Sequence, residues 1–239
     1  MGALSSRTLS ELAAGLVLAP ERYDGRRTLG LSARRTVGDL ARLALDTATP
    51  LPSDTRVLVL DTNHAAEGFV TAAHAPVTRA DLKGTRRRLR PGDVLLSRLR
   101  PYLRQVAYVD AGLFHDAQGP LEVVASPEFY VLRAIGRFDA AALVPFLLAA
   151  EVQTALAAAQ EGGHHPRVPA EALLALPVPD ALVAASERLG GAVRADAERV
   201  RLAHLAGERR VAEVAAMLGG GAATAPEALS ASTSPSPTR

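Results

Sequence analysis

Between residues 56 and 134 short aliphatic runs alternate with Pro, Gly and Asp turns, and beyond residue 139 the sequence passes largely to helix-forming Ala, Leu and Glu. The expected fold class is α+β. Arg56 to Leu60 reads as a strand by its aliphatic and β-branched content, stopped by the turn Asp61-Thr62-Asn63-His64. Pro91-Gly92-Asp93 makes a second turn, with Pro fixing φ and Gly taking a positive φ, and launches a strand over Val94 to Arg98. Pro101 interrupts it. Gln105 to Val109, Leu121 to Ala125 and Glu128 to Ala134 supply further strands, so a twisted mixed sheet with packed helices is expected.

The helical block begins with Ala140 to Ala159, read as one helix with Asp139 as its N-cap and Glu161-Gly162-Gly163 as its end. Shorter helices are expected over Leu9 to Leu18, from about Thr36 and over Ala170 to Ala175, the last stopped by Leu176-Pro177-Val178-Pro179. From Ala181 to Leu218 a long helix carries Leu182, Leu189, Val193, Val200, Val214 and Met217 at three- and four-residue steps. Ser186, Asp196, Ala203, Gly207 and Arg210 interrupt that seam, so it is no perfect coiled coil, and an imperfect apolar stripe needs a partner surface. The expected organisation is a helical lead-in over 1–35, a folded domain over 36–180, the long helix over 181–218, and a Gly-, Ala-, Ser- and Pro-rich tail over 219–239. That tail has too little apolar surface to offset its ordering entropy.

Net charge is only +2, yet its distribution is uneven. Between Arg79 and Arg104 nine cations (Arg79, Lys83, Arg86, Arg87, Arg88, Arg90, Arg98, Arg100 and Arg104) face only Asp81 and Asp93. A concentrated basic segment in a balanced chain is the footprint expected for a phosphate backbone. All but one of these cations are Arg, whose planar fork pairs with phosphate oxygens or guanine edges. The alternative is a solvated face in an Arg-rich protein.

Catalytic chemistry is hard to find. There is no Cys, which excludes a thiolate nucleophile, disulfides and Cys-ligated metals. No Walker, dinucleotide-binding or nucleophile-elbow motif is present. His164 and His165 are adjacent and do not converge on one metal, and His64 and His74 lie on separate expected loops. Asp93 precedes a strand, as nuclease carboxylates often do, but the strand that follows reads Val-Leu-Leu-Ser-Arg without further acids. No apolar run spans a membrane and Met1 to Leu18 lacks the form of a signal peptide, so a cytoplasmic protein is expected.

Two stretches together resemble a known family. Leu89-Arg90-Pro91-Gly92-Asp93-Val94-Leu95-Leu96-Ser97-Arg98-Leu99-Arg100-Pro101-Tyr102 is similar to a strand and turn of the target-recognition domains in type I restriction–modification specificity subunits. Val124-Ala125-Ser126-Pro127-Glu128-Phe129-Tyr130-Val131-Leu132-Arg133 resembles the strand that follows. The helix with Glu151-Val152-Gln153, the loop Gly162-Gly163-His164-His165-Pro166-Arg167-Val168 and Leu173-Leu174-Ala175-Leu176-Pro177-Val178-Pro179 complete the ordered set. The similar part covers roughly residues 36 to 218. Two departures stand out: Asp180-Ala181-Leu182-Val183-Ala184 replaces the family's Glu-Gln pair, and the terminal helix carries Gly190, Gly191 and Gly207.

The resemblance implies one non-catalytic target-recognition domain followed by one helix, a half-subunit that binds double-stranded DNA. Its implied partners are a modification methyltransferase subunit, a restriction subunit, and a second copy or second specificity half-subunit. It needs no cofactor of its own; S-adenosylmethionine, ATP and magnesium would be held by the partner subunits. Arg86, Arg87, Arg88 and Arg90 are expected on phosphates. Ser97, Arg98, Arg100, Tyr102 and Arg104 are expected on phosphates or base edges, and Tyr102 has the alternative of packing beneath its strand. His164, His165 and Arg167 are further candidates for DNA contact. The competing functions are a standalone DNA-binding nuclease or defence effector, and an interaction module with no DNA affinity.

Overall fold

The computed structural model describes residues 29, 33–48, 51–71, 75–162, 164 and 166–218. The expected helix over Leu9 to Leu18, the tail from 219, His74 and His165 lie outside the described residues. Eight strands build two four-stranded sheets: β1 (Ala41–Leu43), β2 (Arg56–Leu60), β3 (Val77–Thr78), β4 (Arg87–Arg88), β5 (Val94–Ser97), β6 (Val106–Tyr108), β7 (Glu122–Ala125) and β8 (Phe129–Ala134). One sheet has the order β3-β2-β7-β4 and is mixed, with β2 and β7 parallel. The other runs β1-β8-β5-β6 and is antiparallel throughout. The single mixed sheet expected from the sequence is therefore two sheets.

The pleat explains why two sheets are needed. Leu95, Phe129 and Val131 face Leu58, Leu60, Val123 and Ala125 of the other sheet and close a core between the two. Val94, Leu96 and Leu132, pointing the opposite way, pack against the helices. Every residue of β5 is buried, as an apolar run covered on both faces requires. Val57, Val59 and Val124, on the far side of the mixed sheet, pack with Ala48, Leu51 and Leu82.

The helical layer consists of α1 (Val37–Leu40), α2 (Leu143–Leu148), α3 (Ala150–Ala158), α4 (Ala170–Leu174), α5 (Asp180–Ala184) and the start of α6 (Ser186–Met217). At α1, Asp39 accepts from the Thr36 backbone N–H at 2.7 Å, which completes a capping box. Asp139 accepts from Ala141 N at 3.1 Å, so the cap expected there is present. The single helix expected over 140–159 is not. Ala149 adopts φ −60°, ψ 139°, and α2 and α3 bend by 79°. The carbonyls the bend frees are recovered by side chains: Gln153 Nε2 donates to Leu147 O at 2.6 Å and Arg104 Nη1 to Leu148 O at 2.9 Å. Among the described residues no single helix is long and apolar enough to cross a membrane.

The expected helix over 181–218 is likewise two, broken at Ala185 between α5 and α6. Chain contacts divide the molecule into a unit ending at Leu202 and another beginning at Ala203. In the first, Leu182, Val183, Leu189 and Val193 pack on the helical core and Ala197 is buried. Leu182, Leu189 and Val193, expected to meet a partner, thus cover their own domain. Val200 is half-buried. In the second unit Val214 is 52% and Met217 74% exposed.

Candidate nucleic-acid interface

Strand β5 organises the basic segment by separating it. Its register places Val94 opposite Leu132 and Ser97 opposite Phe129, so the two ends of the strand, with the arginines that precede and follow it, lie about 10 Å apart at 3.3 Å per residue. The expected single patch is two.

At the Val94 end the arginines are held in a carboxylate network. Asp93, 1% exposed, accepts from Arg133 Nε and Nη2, both at 2.8 Å, and from Arg90 N at 2.8 Å. Arg133 Nη1 donates to Asp46 Oδ2 at 2.8 Å, and Arg90 Nη2 lies 3.3 Å from the same oxygen. The Arg133 hydrogen bond holds the Asp46 carboxyl below its usual range, and Asp93 and Asp46 together raise the Arg133 guanidinium, Asp93 contributing more. Nearby, Arg86 pairs with Asp61 at 2.8 Å and Arg88 pairs bidentately with Glu122 at 2.8 and 2.5 Å. Arg87 Nη1 donates to Leu45 O at 3.2 Å. Arg86, Arg88 and Arg90 thus each neutralise a carboxylate that the sequence places far away.

At the Ser97 end the chain makes a tighter object. Ser97 is 2% exposed and its Oγ exchanges hydrogen bonds with Leu99 N and O, both at 3.2 Å, so it shapes the turn from inside. The Arg98 guanidinium lies 5.7 Å from the Tyr130 ring centroid and its Nε 3.5 Å from Glu128 Oε2. Arg167 chelates the same carboxylate at 3.0 and 2.8 Å, which lowers the Glu128 pKa, and Tyr130 Oη donates to Val168 O at 2.7 Å. Leu99 bridges to Arg167, which ties the 161–167 loop to this end of the strand. His164 is exposed on that loop.

Beyond Leu99 the backbone turns through a 3-10 helix, Pro101–Leu103, bracketed by Arg100 (φ 44°) and Arg104 (φ 50°). Both are left-handed without being glycine, an arrangement that persists only where surrounding contacts enforce it. Arg104 supplies one such contact: besides Leu148 O, its Nε donates to Glu67 Oε1 at 2.7 Å. Tyr102 does not pack beneath the strand; it is 70% exposed, beside Leu103 at 44%. Among the described residues Arg100 forms no ion pair. Leu103 was missed by sequence reasoning, which had no signal for an apolar residue turned outward.

Asp93, the carboxylate a nuclease would have needed, is occupied by Arg133 and Arg90. Among the described residues no group of three His, Cys, Asp or Glu side chains is placed to hold a metal.

Neither a protein-family model nor a curated protein matches the sequence. Solved structures do resemble the fold. A chain from a structure on complex assembly and conformational transition of the type I restriction–modification system aligns over 80% of this chain and 50% of its own, at TM-score 0.51 and 22% identity. The HsdS subunit from Thermoanaerobacter tengcongensis aligns over 75% of this chain and 44% of its own, at TM-score 0.47 and 20% identity. The chain therefore shares its α+β fold, over most of its length, with a chain of a type I restriction–modification structure. It spans about half the length of these two structures.

Proposed function

We propose that this chain is a DNA-recognition unit of a type I-like restriction–modification system, a non-catalytic specificity component that brings a methyltransferase and a restriction subunit to a target site. The observation that carries this reading is the shared fold, over 80% of the chain, with a component of such a system. The Ser97 end of β5 supports it chemically, since it offers the Arg100 guanidinium, in no ion pair among the described residues, and the exposed Tyr102 phenol, groups suited to phosphates and base edges.

In this reading α6 serves two purposes. Its first half is fixed to the recognition domain, and the apolar residues of its second half meet another recognition unit, a second copy or a different half-subunit. S-adenosylmethionine, ATP and magnesium belong to the partner subunits. A symmetric pair reads a two-part palindromic site, because two-fold protein symmetry is mirrored in the DNA.

The test is electrophoretic: purified protein is titrated into duplex DNA at low salt, alone and with a methyltransferase subunit from its own source. A retarded complex that weakens steeply with salt is expected. Absence of a complex in both preparations would overturn the proposal.

A further inference from the structure

The basic segment divides chemically as well as spatially. Arg86, Arg88, Arg90, Arg98 and Arg104 each face a carboxylate within the protein. Binding DNA through them would mean exchanging an internal carboxylate for a phosphate, with little electrostatic gain. Among the described residues Arg100 forms no ion pair, as Arg79, Lys83 and Arg87 form none, but the structure presents Arg100 in an unusual way. It opens a 3-10 turn whose two flanking residues are left-handed, a strained conformation for a non-glycine residue. The strain is held in place from several sides: Pro101 is buried, Arg104 is tied to Glu67 and Leu148 O, and Leu99 pairs with Arg167. The result is a firmly held tip on which Arg100, Tyr102 and Leu103 are all exposed.

Rigidity and exposed apolar groups together argue for a contact that requires fixed geometry. A phosphate contact does not, because a flexible surface Arg reaches a phosphate equally well. A base edge does, since a guanidinium distinguishes guanine only when both of its N–H groups meet O6 and N7 in plane. A Tyr or Leu beside it can pack on a thymine methyl or a neighbouring base face. We propose that Arg100, Tyr102 and Leu103 form the base-reading tip of this domain, while Arg98, Arg104 and Arg167 are its frame and do not themselves read sequence. The inference rests on the DNA-recognition reading and adds which residues set specificity.

The experiment is motif selection from a pool of duplexes with a randomised centre, using whichever preparation binds DNA. Wild type is compared with Arg100→Asn, Arg100→Lys and Tyr102→Ala. Asn tolerates the left-handed conformation, so the turn is retained, and matching melting curves check that each variant folds. Wild type is expected to select a motif. Arg100→Asn and Arg100→Lys both lose preference at one G·C position, where discrimination falls from roughly ten- to hundredfold to almost none, because neither side chain reproduces the fork. Tyr102→Ala relaxes an adjacent position. Recovery of the unchanged wild-type motif by these variants would overturn the proposal. So would a uniform loss of affinity with a salt slope shallower by about one, which would make Arg100 a phosphate contact. If wild type itself selects no motif, the DNA-recognition reading falls, and the tip with it.

Discussion

The carboxylate of Asp139 rests against the bare Cα of Gly190, so closely that a Cβ on residue 190 would overlap it. The same carboxylate caps the turn at Ala141 and pairs with Arg194 one helical turn further along α6. Arg201 repeats the arrangement with Asp110. Two ion pairs and one close approach therefore fix the first half of α6 to its domain, and the glycine that would weaken an isolated helix is what permits the contact.

Gly190→Ala should accordingly destabilise the protein. The helix gains about 1 kcal/mol of propensity, but the added methyl displaces a half-buried carboxylate that serves two partners, a cost of about 1–3 kcal/mol. Gly207→Ala meets nothing within 4 Å and should stabilise, by up to about 1 kcal/mol. Thermal or urea denaturation of the two variants checks the contrast; equal effects would mean that Gly190 has no packing role.

Arg133→Met should be among the most damaging single changes. It strands Asp93, which is 1% exposed, without its bidentate partner, and such losses cost about 3–5 kcal/mol. Replacing both partners by apolar residues should recover much of that loss, because the remaining buried charge is what costs energy. A double-mutant cycle on Arg133 and Asp93 measures the coupling, and additive effects would refute it.

The outline of this network was half legible in the sequence. The turn at Pro91-Gly92-Asp93 and the fully covered strand after it were readable because both follow from local chemistry. The charge of the arginine run was readable too, but its cancellation was not: Asp46, Asp61, Glu67, Glu122 and Glu128 reach it only through the sheet pairing. The break at Ala149 falls four residues after Pro145, which stands in the first turn of α2 and does not itself account for the bend. Neither Ala149 nor its neighbours is a helix breaker, and the bend is stabilised by Gln153 and by Arg104, the latter distant in sequence. At Gly190 only the helix penalty was visible, since its compensation lies with Asp139.

Stability should fall in acid in a defined window. Hydrogen bonds from Arg133, Arg56 and Arg167 hold Asp46, Asp116 and Glu128 below their ordinary values, Asp116 at about 2. Because folded values lie below unfolded ones, these groups stabilise fully above the ordinary values of 3.8 and 4.5, and their contribution is lost as pH falls through the folded values. Melting temperature is expected to be insensitive to these groups above about pH 5 and to drop below about 4. Asp116→Asn should remove the part of the decline between 3.8 and about 2.

Glu128 offers a test of how the frame limits DNA affinity. It engages both Arg98 and Arg167, so Glu128→Gln frees positive charge beside the tip. If DNA binds at this end, affinity for random duplex should rise several-fold at low salt and the salt slope should steepen by about one. An unchanged slope would place the DNA elsewhere on the domain.

The second half of α6 yields the last prediction. Val211, Val214, Met217 and Leu218 are 71%, 52%, 74% and 82% exposed, although short helices in water are stable only when an apolar face is covered. Another recognition unit is the expected cover, and the two residues that continue the apolar seam, Val214 and Met217, are the natural points of contact. Val214→Asp and Met217→Asp should leave the melting of the domain almost unchanged, within about 0.5 kcal/mol, because neither side chain supports its core. Each should shift sedimentation toward the monomer, since a carboxylate facing its own copy across a closing apolar seam is both desolvated and repelled. A wild-type chain that sediments as a monomer at the highest concentration it tolerates would remove self-pairing, and the exposed stripe would then have to be covered by a different half-subunit.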